Sequence, residues 1–280
     1  MLGIARNPDW GVAAPGPKFW LWPNLLSLDA PFVAVLWQIL FLRCFHAAED
    51  APPAILLVTS VWLIYAADRV LDAWRGECAL PRHRFYRAHW RLLLPIWIAV
   101  LAASAWLALT RLPAALLQHG LALLAAVAAY FAIVHGVRWT SRAKWPKEAS
   151  VGLLFALGAS LAAWSNVRGI ADAAAIALFF MLCWINCAAI QKWESSEWAR
   201  HIDWSALDWP VSRASLGVAL VAGLLLCLHR PILGGAEMAS ALAFVALDRF
   251  VGRLSPDALR VLADVALLSP VVFLPLVKGV

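Results

Sequence analysis

The sequence predicts an all-α, polytopic membrane protein with about nine transmembrane helices, and three observations predict it. Hydrophobic residues make up 63% of the 280 positions and charged residues 14%, with a mean hydropathy of +0.76, whereas a soluble domain is roughly 45–50% apolar and 25% charged. The apolar residues are gathered in long runs. The basic residues collect in every second connection between those runs.

Taken in order, apolar runs bounded by charge, Pro or Gly lie at 25–43, 52–67, 92–110, 117–136, 149–166, 170–190, 211–228, 232–247 and 260–277. A helix that crosses a bilayer needs about 20 such residues, and the eighth run is short by that measure. The runs are rich in Ala and Leu and lack period-2 alternation, so they predict helices rather than the strands of a barrel. Residues 1–19 carry Pro8, Asp9, Pro15 and Pro17 and lack the apolar core of a signal peptide, which marks a cytoplasmic leader. Residues 20–280 then form a single transmembrane helical domain.

Orientation follows from the basic residues. Arg69 to Arg91, Arg138 to Lys147, Lys192 to Arg213 and Arg249 to Arg260 follow the second, fourth, sixth and eighth runs. With Arg6 and Lys18 these connections hold eighteen of the 23 Lys and Arg, leaving Arg43, Arg111, Arg168, Arg230 and Lys278 on the other side. The positive-inside rule then places the N-terminus in the cytoplasm and the chain in a cytoplasmic membrane. The excess of +6 is spread over loops and forms no basic soluble module, so no nucleic-acid partner is expected. Anionic headgroups or an anionic substrate fit that face better. Many of the 17 Trp, Trp20, Trp22, Trp74, Trp90 and Trp193 among them, fall near run ends, as an interfacial belt requires.

The cysteines and histidines carry little chemistry. Cys44, Cys78, Cys183, Cys187 and Cys227 form no Cys-x-x-Cys pair and are expected as packing residues. Among the seven His only His135 lies at membrane depth, with no second His at ligand spacing. No His-Glu-x-x-His, Gly-x-Ser-x-Gly or phosphate loop is present, so those hydrolase and nucleotidase classes have no motif to rest on.

Acidic residues are more informative, because charge at the membrane is costly and faces a cavity or a partner. At the end of the second run Asp68 and Asp72 stand four apart, with Arg69 and Arg75 alongside. On a helix they share a face. Two carboxylates so placed can share a hard cation such as Mg²⁺ bridging to phosphate; equally, they can be helix-end charges paired with Arg69 and Arg75. After the sixth run Asn186, Ile190 and Glu194 share a face, again on the cytoplasmic side. Between the clusters lie Arg142, Lys144 and Lys147, suited either to a diphosphate or to positive-inside anchoring. The stretch from Arg75 to Arg91 is either a capping helix or a basic loop on headgroups, and Gly252 to Arg260 is expected as a connection. Asp264 falls inside the last run and calls for a partner that the sequence does not name.

In this arrangement the chain resembles the UbiA superfamily of intramembrane prenyltransferases. That family's first motif is Asn-Asp-x-x-Asp-x-x-x-Asp; its last two acids fall on Asp68 and Asp72, its Asn and first Asp on Ile64 and Tyr65. The Arg common in that motif is matched by Arg69. Its second motif has an Asn followed by two acids at four-residue intervals, matched by Asn186 and Glu194, with Ile190 at the middle acid. The resemblance implies a UbiA-like bundle and transfer of a prenyl group from an allylic prenyl diphosphate to an aromatic or lipophilic acceptor, with Mg²⁺. Carried over, Asp68, Asp72 and Glu194 are the catalytic and metal-holding acids. Asn186, Arg69, Arg75, Arg142 and Lys147 contact substrate, and Trp62, Tyr65 and Trp184 are ring candidates for the carbocation. Ile64 and Ile190 at acid positions keep open a non-catalytic lipid-binding or transport protein on the same scaffold. A purely structural pairing of the acids with Arg69, Arg75 and Lys192 also stays open.

Overall fold

In the computed structural model, residues 18–74, 81–136, 147–198, 211–227 and 230–277 are described, and they are all-helical, with no strand among them. A 3₁₀ turn, Phe19–Leu21, leads into the short helix α1 (Trp22–Leu25), followed by α2 (Asp29–Cys44), α3 (Ala51–Trp74), α4 (Pro81–Arg111) and α5 (Ala114–Phe131). Next come α6 (Lys147–Ser160), α7 (Ile170–Trp198), α8 (Val211–Cys227), α9 (Pro231–Arg249), α10 (Pro256–Ala266) and α11 (Pro270–Phe273). Pro opens α4, α9, α10 and α11, where its missing N–H costs nothing and its fixed φ suits the helix.

Every apolar run lies on helix. Among the described residues seven segments are long and apolar enough to cross a membrane, an eighth forms if the pair Phe19–Leu25 and Asp29–Cys44 is one span bent by 75°, and the described part of the seventh run, Val211–Leu225, is apolar but shorter. The chain is thus an integral membrane protein by the length and apolarity of its helices. The eighth run, short in sequence, lies on the longer helix Pro231–Arg249. Of the two readings of Arg75 to Arg91 the described part is helical, and the connection before Arg260 is helical from Pro256 on. Arg82 to Arg91 are the first turns of α4, and Arg260 stands on α10, which starts at Pro256 under a Ser255 hydroxyl cap on the Ala258 N–H. Conversely, the last run is interrupted at Ser269, because Pro270 removes a helical N–H.

The first span breaks at Leu26–Leu28 in a Schellman turn. The Leu28 N–H donates to Pro23 O at 2.8 Å and the Ser27 N–H to Asn24 O at 3.2 Å, with Ser27 at φ 57°. Glycine normally fills that left-handed position, so a Ser there has to be held. Three distant side chains hold it. The Ser27 hydroxyl bonds to the Tyr86 hydroxyl at 2.8 Å, Trp62 Nε1 donates to Leu26 O at 3.0 Å, and Arg69 Nη1 donates to Asn24 O.

The core is built around α2, α7 and α9. Trp37 of α2 is fully buried, stacks on Phe179 of α7 at 4.3 Å and donates from Nε1 to Leu267 O at 2.8 Å. Small residues let the helices close: a Cβ on Gly152 of α6 would lie 2.7 Å from the Trp184 backbone nitrogen of α7, the kind of approach by which helices associate inside lipid. On the periphery, 6% of the apolar stretch of α4 and none of that of α5 is buried.

Candidate functional site

Helices α2, α3, α6, α7 and α10 enclose a common narrow cavity. Ala30, Tyr65, Gly152, Asn186, Cys187 and Asp264 line it, and its volume is about 20 Å³, room for about one water. The close approach of α6 to α7 at Gly152 sets its width.

Of the residues singled out from the sequence, Asn186 reaches this cavity. It is nine-tenths buried, its Nδ2 donates to Asp264 Oδ1 at 3.2 Å, and its Oδ1 has no hydrogen-bond partner. Asp264 thereby gains the partner the sequence did not name. Asp68 and Asp72 stand one and two turns beyond Tyr65 on α3, both half-buried. They lie within electrostatic reach of Tyr130 on α5, as do Glu148 of α6 and Cys187 of α7. Lys147 is exposed at the start of α6 and lies within electrostatic reach of Cys187.

Arg69 is tied to the broken first span. It is buried, holds Asn24 O, and lies 6.0 Å from the Tyr86 ring centroid, leaving its Nη2 without a hydrogen-bond partner. Its first duty is to the broken span. Glu194 stands on the last turns of α7, but its side chain lies outside the described residues, as do Arg75 and Arg142. Of the ring candidates, Tyr65 lines the cavity, Trp62 caps Leu26, and Trp184 stacks on Phe180 at 5.9 Å. Among the supposed interface anchors, Trp22 and Trp74 are exposed, and Trp74 meets Trp90 edge-on at 6.2 Å. Trp193 departs from that expectation, being 2% exposed inside the core.

Four participants were missed by sequence reading: Asp29, Asn24, Tyr130 and Arg260. Asp29 opens α2, accepts from Asn24 Nδ2 at 2.6 Å, and lines the same groove as Asp264 within its electrostatic reach. Its signal was an acid only four residues inside the first apolar run. Arg260 lies one turn before Asp264 on α10 and within its electrostatic reach. Beside this cluster runs a groove of about 390 Å³ between the broken first span and α10, lined by apolar side chains together with Asn24, Asp29 and Asp264.

Among the described residues no three His, Cys, Asp or Glu side chains are grouped as a metal-holding set. The residues present nonetheless fit Mg²⁺ in its phosphate-bridged form, which takes only one or two protein carboxylates beside phosphate and water oxygens. Asp68 and Asp72 supply that number of carboxylates. No protein-family model, curated protein or solved structure matches the chain.

Proposed function

We propose that this protein is an intramembrane prenyltransferase, built as a UbiA-like bundle of nine spans with its N-terminus in the cytoplasm. It would join the prenyl group of an allylic prenyl diphosphate to an aromatic or lipophilic acceptor dissolved in the same membrane. The observation that carries this reading is the meeting of α3, α6, α7 and α10 where Tyr65, Gly152, Asn186 and Asp264 share a cavity, with Asp68, Asp72 and Glu148 within electrostatic reach of Tyr130.

Mg²⁺ bound by Asp68 and Asp72 would offset the charge that builds on the departing diphosphate. Lys147, exposed at the mouth, would add a cation to the same oxygens, and Asn186 would orient the headgroup through its free Oδ1. Tyr65 and Tyr130 would present aromatic faces to the allylic cation. The lipid-facing walls of α4 and α5 would leave the prenyl chain in an apolar surrounding.

Membranes containing the protein, incubated with Mg²⁺, labelled prenyl diphosphates of graded length and phenolic acceptors, should release diphosphate and form labelled lipid. Asp72→Asn should lower the rate by about 10²-fold or more, the size expected when a charge-stabilising group is lost. Neither turnover nor prenyl diphosphate binding in the wild-type protein would refute the reading. A lipid-binding or transport protein is the second reading, favoured by Ile64 and Ile190 at acid positions of the family motifs. Prenyl diphosphate binding that ignores both Mg²⁺ and Asp72→Asn would select it.

A further inference from the structure

The groove between the broken first span and α10 has its own chemistry, distinct from the diphosphate end. Trp20, Phe32, Val261, Val265 and Leu268 make its walls, and its polar groups are Asn24, Asp29 and Asp264. A volume of about 390 Å³ falls within the range of small-molecule pockets, whose few polar groups fix the orientation of the ligand. Asp264 is shared: it lines the groove on one side and the narrow inner cavity on the other.

The unfilled hydrogen-bonding capacity of the two acids is all of one kind. Asn24 Nδ2 gives one of its two hydrogens to Asp29 Oδ2, and Asn186 Nδ2 one of its two to Asp264 Oδ1. Asp29 Oδ1 also accepts from the Ala30 N–H at 2.9 Å. The acids keep carboxyl lone pairs on the groove side and, beyond Asp264, lies the Oδ1 of Asn186, nine-tenths buried and without a partner. An occupant that donates matches these carboxyls. Arg69 lies within electrostatic reach of Asp29, and Arg260 within reach of Asp264, so the two acids are already countered and an uncharged head keeps that balance.

We propose that this groove binds a neutral amphiphile with a hydroxyl head, an alcohol or a phenol on an apolar body, whose O–H donates to the Asp29–Asp264 pair. The site needs neither metal nor diphosphate and stands whether or not the protein transfers prenyl groups.

The test is saturable binding to the full-length protein in lipid nanodiscs, above protein-free nanodiscs, without Mg²⁺ or diphosphate. Three probes are compared: 4-nonylphenol, 4-nonylanisole, which keeps the shape and loses the donor, and nonyltrimethylammonium. The phenol should bind at least about tenfold more tightly than the anisole, the size of one hydrogen bond to a buried acceptor. Asp264→Asn and Val265→Trp should each weaken the phenol by a similar factor, the first by altering the pair and the second by filling the groove. Equal affinity for phenol and anisole, a preference for the ammonium, or unchanged phenol binding in Val265→Trp would overturn the proposal. Should Asp264→Asn fail to fold, the anisole comparison and Val265→Trp decide it alone.

Discussion

The apolar stretch of α4 is more apolar than that of α9, yet only 6% of it is buried against 50%. In water the ranking would be reversed, since burial is driven by apolar surface. Here the more apolar stretch faces outward, as Leu92, Trp106 and Leu109 do at 62–72% exposure. Helix α9 instead buries Gly234, Gly235, Ala236, Ser240 and Ala241. The contrast teaches that the surrounding solvent is lipid, in which Leu gains nothing by being buried and close packing of small residues is what holds helices together.

Four experiments break or sharpen that contrast, beginning with the largest effect. Gly152→Leu should destabilise the protein by more than about 3 kcal/mol, because its Cβ meets backbone atoms of Trp184 at 2.7 and 3.0 Å and the α6–α7 pair must separate. Mixed-micelle denaturation reads this out, and near-wild-type stability would show that the helices do not cross there. Trp37→Ala should cost about 3 kcal/mol in the same assay, from lost packing on Phe179 and Phe41 and the orphaned Leu267 carbonyl.

Leu124 of α5 is 57% exposed. Leu124→Arg should raise the cost of membrane insertion by about 3 kcal/mol if that face meets lipid, and a glycosylation-based insertion assay measures it. Insertion as efficient as wild type would mean that a water-filled cavity or a protein covers the face. The smallest effect belongs to Leu109→Ala on α4, 72% exposed, which should change stability by less than about 0.5 kcal/mol. A larger loss would place a protein partner on α4.

The candidate site was legible only where its signal is local. Asp68 and Asp72 announce themselves by four-residue spacing, and Asn186 by its place in a degenerate motif. Arg69 has a role that local reading did not show: beside two acids it suggests a substrate contact, and its Nη1 also donates to Asn24 O, 45 residues away. Asp29 was passed over because one acid at the start of an apolar run looks like a helix-end charge until Asp264 is seen beside it. Likewise, the turn at Ser27 was invisible because the residue that signals a left-handed turn is Gly, and its stability comes from Tyr86, Trp62 and Arg69 on other helices.

The sequence by itself determined the helical class, the membrane setting and the placement of the long apolar helices, because these depend on apolarity summed over about 20 consecutive residues. Tertiary structure alone decided that the first span breaks, that Asp264 pairs with Asn186 and Asp29, and that an apolar groove ends on that pair. Each of these rests on contacts between residues 36 to 235 positions apart, as in Trp62–Leu26 and Asp29–Asp264. Which helix faces which is set by the fit of Gly152, Gly235 and the neighbouring small residues against their partners, and no run of hydropathy contains that fit.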